Sequence, residues 1–327
     1  MKKTYAIAAA LICAAFIFVL SSGCGIKLIT QKTEISGEYM IEGTVERLKL
    51  DHGFGEAVIK YGDTPSVVWD YNVYGVSRDM SVELTDGTLS ITTPIGINGF
   101  AESKGHVTIC LPNGNVEDMD IDTFSGDIEF VGEYTLDVFD VTVTSGQLTF
   151  ERLNADEFRV DLISGEVTLD RLECENAKMS IVSGEIAVRS GAMSSFNAEI
   201  ISGDMSLKLD EDSIVDEADI LLVSGECSIE SMLKQVDVEV TSGDLVIESG
   251  IMPNSADLST TSGMITLKIP EAEDGFTLNY SKGSGSVRSD FELHGSMSKD
   301  SGSVSFGMGK NEYNADTVSG TIRIIKI

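Results

Sequence analysis

The sequence predicts an all-β fold: a single-chain β-solenoid, like a β-helix or β-roll, of about 19-residue coils behind an N-terminal signal or anchor. Three observations predict it: a repeated dipeptide, a strand-type alternation of apolar residues around it, and an apolar segment at the start of the chain. Ser-Gly recurs with spacings of 20, 19, 19, 19, 22, 18 and 20 residues, and such a nearly fixed short period is typical of stacked repeats. The serines are Ser125, Ser145, Ser164, Ser183, Ser202, Ser224, Ser242 and Ser262.

The residues around each Ser-Gly alternate as strands do. Counted from the serine, positions −6, −4, −2, +3 and +5 are apolar in 38 of 40 cases, the exceptions being Thr123 and Thr260. Because side chains of a strand alternate between its two faces, each coil should have one strand entering and one strand leaving the turn, with one buried face. Residues such as Thr168 and Ser206 should lie on the wet face.

Two further expectations concern the corners of the coil. The serine shares the inward parity of position −2, so its hydroxyl should satisfy backbone groups at the first corner, where glycine permits a tight turn. The second corner varies in sequence, at residues 152–155, 189–192 and 210–213, and is predicted to be a loop that accepts insertions.

The chain divides into three predicted parts. Residues 1–24 are a signal peptide or membrane anchor, residues 25–44 a linker, and residues 45–327 the solenoid domain. Regular coils should run from about 113 to 270, with capping or irregular coils at both ends, because an open sheet edge invites aggregation. The last unit obeys the same alternation, at Tyr313, Ala315, Thr317, Ile322 and Ile324.

The N-terminus has the features of an export segment. Lys2 and Lys3 are followed by an apolar run over 5–20. The run ends in a sequence that resembles a bacterial lipobox, in which Cys24 is lipidated and becomes the mature N-terminus, although Ser21 stands where a leucine is usual. An uncleaved transmembrane anchor and simple secretion are the alternatives. In all three cases the domain is predicted to be extracytoplasmic, and with a lipid or transmembrane anchor it contacts the membrane through its N-terminus.

Composition narrows the classes of function. The net charge of −30 would repel phosphate backbones, so nucleic acid is not an expected partner. The chain has three histidines far apart in sequence and contains no HExxH, P-loop, GxGxxG or GxSxG motif. Without a CxxC, Cys110, Cys174 and Cys227 are predicted to be free thiols. We expect no catalytic residues and no cofactor, and none of these motifs assigns a metal centre.

The serial Ser-Gly-acid-aliphatic units, such as residues 125–128, resemble the bacterial "putative adhesin" domain family of unknown function. Leu111-Pro112, residues 285–291 and residues 317–322 add to the resemblance, which covers about 45–327. The family implies a β-solenoid on an anchored or exported protein and provides no catalytic residues to carry over. Some of its members belong to envelope-stress systems, so the resemblance also implies a sensing role as an alternative.

Three functions remain open at this stage. The first is a surface binding, adhesion-like or structural module, whose partner is a protein or a cell-wall or surface polymer. The second is a regulatory partner in envelope-stress signalling. The third is a polysaccharide-active β-helix enzyme, which would need a base and basic side chains clustered on one face. Arg159, Arg171 and Arg189 are scattered in sequence, which disfavours the third.

Two columns of outward residues are candidate sites. Position +2 is acidic in six of eight coils, and stacked carboxylates repel unless turn preference, hydrogen bonds from backbone N–H groups or a weakly bound cation such as calcium offsets the repulsion. These acids are Asp127, Glu166, Glu185, Asp204, Glu226 and Asp244. Position −1 should point outward, yet it is apolar in the four central coils, which indicates either a partner face or simple strand propensity. These residues are Ile163, Val182, Ile201 and Val223.

Overall fold

The structure is a computed structural model that describes residues 32–74, 76–96, 104–112, 114 and 116–327. The predicted signal or anchor, including Cys24, lies outside the described residues. Within the described ranges every regular element is a β-strand. No helix in these ranges has the length and apolar character needed to cross a membrane.

The strands fall into three groups along the chain. The N-terminal group is β1 (Lys32–Met40), β2 (Arg47–Tyr61), β3 (Ser66–Tyr74), β4 (Val76–Arg78), β5 (Ser81–Thr85), β6 (Thr88–Thr92), β7 (Ile95–Gly96) and β8 (Lys104–Leu111). The central group is β9 (Asp118–Val143), β10 (Gln147–Leu162), β11 (Glu166–Ile181), β12 (Glu185–Val188), β13 (Gly191–Ser202), β14 (Asp204–Lys208), β15 (Ile214–Val215), β16 (Glu217–Ser224), β17 (Glu226–Leu233), β18 (Gln235–Val240), β19 (Asp244–Ser249), β20 (Ser255–Thr260) and β21 (Met264–Ile269). The C-terminal group is β22 (Phe276–Lys282), β23 (Ser286–Ser289), β24 (His294–Met297), β25 (Ser301–Phe306), β26 (Asn311–Thr317) and β27 (Thr321–Lys326).

The central strands stack as parallel coils in register. Gln147 of β10 pairs with Glu166 of β11, and the pairing continues to Leu162 opposite Ile181. The same equivalence holds through β13, β16, β18 and β20 on one side of the turn and through β12, β14, β17, β19 and β21 on the other. The predicted all-β solenoid is therefore confirmed.

The core consists of the alternating columns found in the sequence. All five inward positions are buried in each of the eight coils, and the final unit from Tyr313 to Ile324 buries its five as well. Thr123, one of the two polar exceptions, donates its hydroxyl to the carbonyl oxygen of Gly126 at 3.1 Å. The expectation for Thr168 is wrong: it is only 8% exposed, because it lies between neighbouring rows and its hydroxyl turns back to Glu166.

The predicted loop at the second corner is largely a third parallel stretch of strand. Arg152 pairs with Arg171 and Ala155 with Cys174, so β10 and β11 continue through this side of the coil. Leu153 is buried there and closes the core, which is why this side is ordered. The loop expectation holds at residues 210–213, where the chain turns between β14 and β15.

The Ser-Gly corner differs from its predicted form. The serines lie at the surface rather than inward, because the chain turns here and positions −1 and 0 are both outward. The expected hydroxyl bond still forms in some coils: Ser242 Oγ donates to the carbonyl oxygen of Val223 at 3.0 Å. Glycine is required by stacking, since a Cβ on Gly165 would lie 2.3 Å from the carbonyl oxygen of Gly146.

Strands added out of sequence order cover both ends of the stack. At the N-terminal end β2 pairs with β9 on one side and with β6 and β8 on the other, and β5, β3 and β1 add antiparallel strands. Residues 32–40 of the predicted linker thus form β1, because they pair with β3 over their whole length. At the C-terminal end β26 and β27 lie between the β20–β21 coil and β22–β23, and β25 and β24 pair antiparallel beyond β22.

Candidate contact surface

An apolar stripe runs along one corner of the solenoid. It is the column of position −1 residues, one from each coil. Consecutive rows are joined by backbone hydrogen bonds, such as Ser183 N to Ile163 O at 2.9 Å and Ser202 N to Val182 O at 3.0 Å. The stripe is Phe124, Thr144, Ile163, Val182, Ile201, Val223, Thr241, Thr261 and Val318.

The four central residues of the apolar stripe point outward, as their position in the sequence predicts. Ile201 is 40% exposed and Val223 is 36% exposed, while Ile163 and Val182 are half-buried. The preceding residue Ile200 is 1% exposed, so the change of face occurs between two adjacent isoleucines. Strand propensity accounts for β-branched residues here, but a contiguous exposed apolar row is also what a contact surface requires.

The acidic column, defined as the six position +2 carboxylates from Asp127 to Asp244, runs parallel to the apolar stripe. Two of its members accept backbone hydrogen bonds from the next coil: Asp127 Oδ1 from Gln147 N at 3.0 Å, and Asp204 Oδ1 from Glu226 N at 2.9 Å. Gln147 Nε2 also donates to Glu166 at 3.2 Å. These bonds offset part of the repulsion between stacked carboxylates.

The cation hypothesis for the acidic column stays a prediction. Within the described ranges, no group of three or more His, Cys, Asp or Glu side chains is arranged to hold a metal ion. Where the carboxylates do have partners, these are backbone amides, an amide side chain and the Thr168 hydroxyl.

A shallow groove of about 490 Å³ separates the two columns. Its floor includes the corner glycines Gly146, Gly165, Gly184 and Gly203, and its wall is the central part of the acidic column. The glycine carbonyls accept hydrogen bonds from the next coil, as in Glu185 N to Gly165 O at 3.0 Å. These carbonyls of the floor are therefore already engaged between successive coils.

On its other border the apolar stripe meets position −3, which carries Asp161, Ser180, Glu199 and Leu221 in the four central coils. Asp161 and Glu199 are exposed, while Ser180 and Leu221 are half-buried. Two carboxylates, Asp161 and Glu199, therefore lie next to the apolar stripe on this side, while on the other side the corner serines and the glycines separate it from the acidic column. This arrangement places an apolar row beside carboxylates, which suits an apolar side chain and a cationic group presented together.

Comparison of the sequence with models of protein families shows which family the chain belongs to. The Toastrack family (DUF4097) matches residues 45–214 and again residues 209–325. The chain belongs to the Toastrack family. This bears out the resemblance to bacterial adhesin-like domains seen in the repeat motifs.

Solved structures similar to this Toastrack chain include a "putative adhesin" from Parabacteroides distasonis, with 13% identity and a TM-score of 0.49 over 89% of this chain and 97% of that one. A "putative adhesin" from Parabacteroides merdae has 12% identity and a TM-score of 0.49 over 90% and 96%. A "putative lipid binding protein" from Parabacteroides distasonis has 13% identity and a TM-score of 0.47 over 90% and 96%. No curated protein matches the chain.

The arginines considered for polysaccharide chemistry are each held in an ion pair in this Toastrack fold. Arg159 pairs with Glu157, Arg171 lies 2.7 Å from Asp210 and 2.8 Å from Glu173, and Arg189 lies 2.5 Å from Asp170. The structure does not bring the three arginines together at one point. Each one forms its ion pair in a different part of the stack.

Three cysteines and one histidine of the Toastrack domain lie partly or fully within the core. Cys110, Cys174 and Cys227 are free thiols, and burial raises the pKa of Cys174 and that of Cys227 to about 12. His52 is fully buried, with Nε2 3.2 Å from Gly55 O and Nδ1 3.2 Å from Thr93 Oγ1. Burial lowers the pKa of His52.

Sequence reasoning missed one member of the apolar stripe. Val318 precedes the last Ser-Gly and is 62% exposed. It continues the column directly after Thr261, because Ser319 N donates to Thr261 O at 2.8 Å. The Val-Ser-Gly motif itself could have identified it, but its place in the stack depends on β26 and β27 returning to pair with β20 and β21.

Proposed function

We propose that this Toastrack protein is an extracytoplasmic, membrane-anchored binding module that contacts its partner through the apolar stripe. The observation that carries the proposal is the outward apolar column on a chain whose net charge is −30, with Ile163 and Val182 half-buried and Ile201 and Val223 exposed. Contiguous exposed apolar surface on a soluble domain often marks an interaction site. A stacked, rigid support favours binding, because the contact residues are already ordered before the partner arrives.

The proposed location rests on the N-terminal sequence. The positive start, the apolar run and Cys24 favour export followed by lipid attachment at Cys24. An anchored solenoid would present its rows at the cell surface, where a protein or a cell-wall polymer can reach them.

A non-catalytic role is part of the proposal. Two grooves of the described surface are lined by equivalent residues of successive coils and so run along the stack, and the one beside the apolar stripe is open along its length. General acid–base chemistry needs a base and a charged partner that converge on one point. Arg159, Arg171 and Arg189 instead neutralise acids in separate rows, which favours a structural role for them.

The test is partner capture by chemical crosslinking on intact cells. The variant Ile163→Thr, Val182→Thr, Ile201→Thr keeps β-branched residues in the strands and removes the apolar contact. We expect it to fold normally and to lose the crosslinked partner. The matched control changes three exposed apolar side chains elsewhere, Val68→Thr, Val131→Thr and Ile214→Thr, and should retain the partner. Equal capture by both variants would reject the apolar stripe as the contact face.

A further inference from the structure

We propose that the partner of the apolar stripe is a cationic amphipathic helix of another polypeptide, lying along the axis of the stack. This inference rests on the proposed function, because it takes the apolar stripe as the contact face and names the chemistry that covers it. Two features carry it: the unneutralised charges that border the stripe, and the spacing of its rows.

The carboxylates on either side of the apolar stripe have no ion-pair partner in the described part of the chain. Glu166, Glu185, Asp204 and Glu226 lie on one side, beyond the corner serines and glycines, and Asp161 and Glu199 lie next to the stripe on the other side. None of the six is in an ion pair with a described basic side chain.

At position +6 of the coil, by contrast, the carboxylates do form ion pairs with basic side chains. There Asp170 lies 2.5 Å from Arg189, Glu230 lies 2.8 Å from Lys208, and Glu248 lies 3.0 Å from Lys268. Basic residues occur in the +6 column and, as Arg159 and Lys178, at position −5, but positions −3 and +2 of the described coils contain none. A partner with apolar residues on its centre line and Lys or Arg on both flanks complements this pattern.

The spacing of the rows favours a helix. Parallel strands are about 4.8 Å apart, so the three steps from Ile163 to Val223 span roughly 14 Å. A helix advances about 5.4 Å per turn, or roughly 16 Å over three turns, and can place one apolar side chain on each row. Same-face residues of an extended chain recur every ~6.6 Å and lose register with the rows. The glycine carbonyls of the groove floor already accept coil-to-coil bonds, so an added strand would gain little there.

A second copy of this chain fits the surface less well. Two apolar stripes packed face to face would bring both acidic borders against each other, and like charges across an interface are costly. A stripe-dependent dimer of the free chain, measured by analytical ultracentrifugation, would overturn the proposal.

The experiment measures binding of model peptides to the purified extracytoplasmic domain by fluorescence anisotropy. The probe is a 14-residue Leu/Lys peptide with leucines at helical spacing. One comparison peptide replaces each Lys with Glu, and another has the same composition in strict alternation. We expect the helical Leu/Lys peptide to bind at least tenfold tighter than either. Equal binding of the Leu/Glu peptide or of the alternating peptide would overturn the proposal.

Isosteric variants show whether peptide binding depends on the carboxylates near the apolar stripe or only on the net charge of the domain. Glu166→Gln, Glu185→Gln and Asp204→Asn keep the hydrogen-bonding oxygens and should weaken binding at least tenfold. Asp156→Asn, Glu175→Gln and Asp212→Asn remove the same charge from exposed positions elsewhere and should change it less than twofold. Equal weakening by both sets would mean attraction to net charge alone and would overturn the proposal. If the Thr variant loses the cellular partner while the peptides show none of these preferences, the contact face stands and the cationic helix is rejected. If that variant keeps its cellular partner, the proposed function itself has failed.

Discussion

Ile200 and Ile201 are adjacent, identical in type and opposite in environment, at 1% and 40% exposure. Substituting each separately with Asp therefore tests which face of the strand is buried, with sequence context nearly constant. For Ile200→Asp the buried apolar side chain is lost, at about 2–3 kcal/mol, with any cavity adding to this. The new carboxyl must in addition be charged in the core or be protonated. Protonating it at pH 7 from a reference pKa of ~3.9 costs about 4 kcal/mol, which sets a ceiling on the charge penalty.

The expected loss for Ile200→Asp is thus about 6 kcal/mol, comparable to the whole stability of many domains. The Ile201→Asp loss should stay within about 0.5 kcal/mol, the usual range for surface changes. Urea unfolding followed by circular dichroism measures both. Because a buried acid has a raised pKa, its penalty grows with pH above ~3.9, so the Ile200→Asp loss should shrink by about 3 kcal/mol between pH 7 and pH 5. Equal losses at both positions, or a larger loss at Ile201, would refute the assigned faces.

Three further expectations concern the anchor, the acidic column and a buried histidine. Intact-mass analysis of the exported protein should show a chain that begins at Cys24 with diacylglycerol attached, and a mature chain still beginning near Met1 would contradict it. The hydrogen bonds of Asp127 and Asp204 predict that millimolar calcium at fixed ionic strength leaves the thermal midpoint unchanged, whereas a rise of several degrees would establish a cation site. Since burial lowers the pKa of His52 below its ordinary 6.5, its contribution to stability is present above pH 6.5 and is lost as the pH falls from 6.5 towards the lowered pKa. The control is His52→Thr, because the paired residue of the next coil is Thr123. Urea titrations at several pH values should show that the free energy of unfolding falls less between pH 6.5 and lower pH in this variant than in the parent. An identical pH dependence in both proteins would count against the buried histidine.

The core was predictable because a strand has a side-chain period of two and one coil repeats the next. Columns such as Val160, Ile181 and Ile200 are visible as soon as the serines are aligned. The outward orientation of the serines was not predictable in this way. Strict alternation assigns them to the inner face, but at the corner two consecutive residues, positions −1 and 0, both face outward. The third stretch was missed for a related reason: Leu153 and Ala155 are two inward residues, too few to show a period.

The strands that cap the two ends of the stack could not be predicted from local sequence patterns. The stacking of β26 and β27 between β20–β21 and β22–β23 follows from long-range pairing, which alternation within a segment does not encode. The sequence of β1 resembles a linker because Glu34, Ser36 and Glu38 are polar and only Ile35 and Tyr39 pack on the core.

The candidate site was half visible in the sequence. Its two columns, the apolar stripe and the acidic column, were found from position counts alone. The position of one column relative to the other could not be found from position counts. It depends on the turn at the Ser-Gly corner, where a groove with a floor of glycines lies between the two columns. The absence of neutralising side chains beside the apolar stripe also required the ion pairs of the described residues to be seen, such as Arg189 with Asp170.

Site-specific photocrosslinking in intact cells tests the apolar stripe as the contact face most directly. A photoreactive amino acid would replace Val182 in the apolar stripe or Ser206 on the neighbouring side of the same stack. Val182 is half-buried and Ser206 is exposed, so accessibility alone favours Ser206. We predict a covalent adduct with a second polypeptide from position 182 and none from position 206. An adduct from position 206 alone, or equal adducts from both, would contradict the assignment.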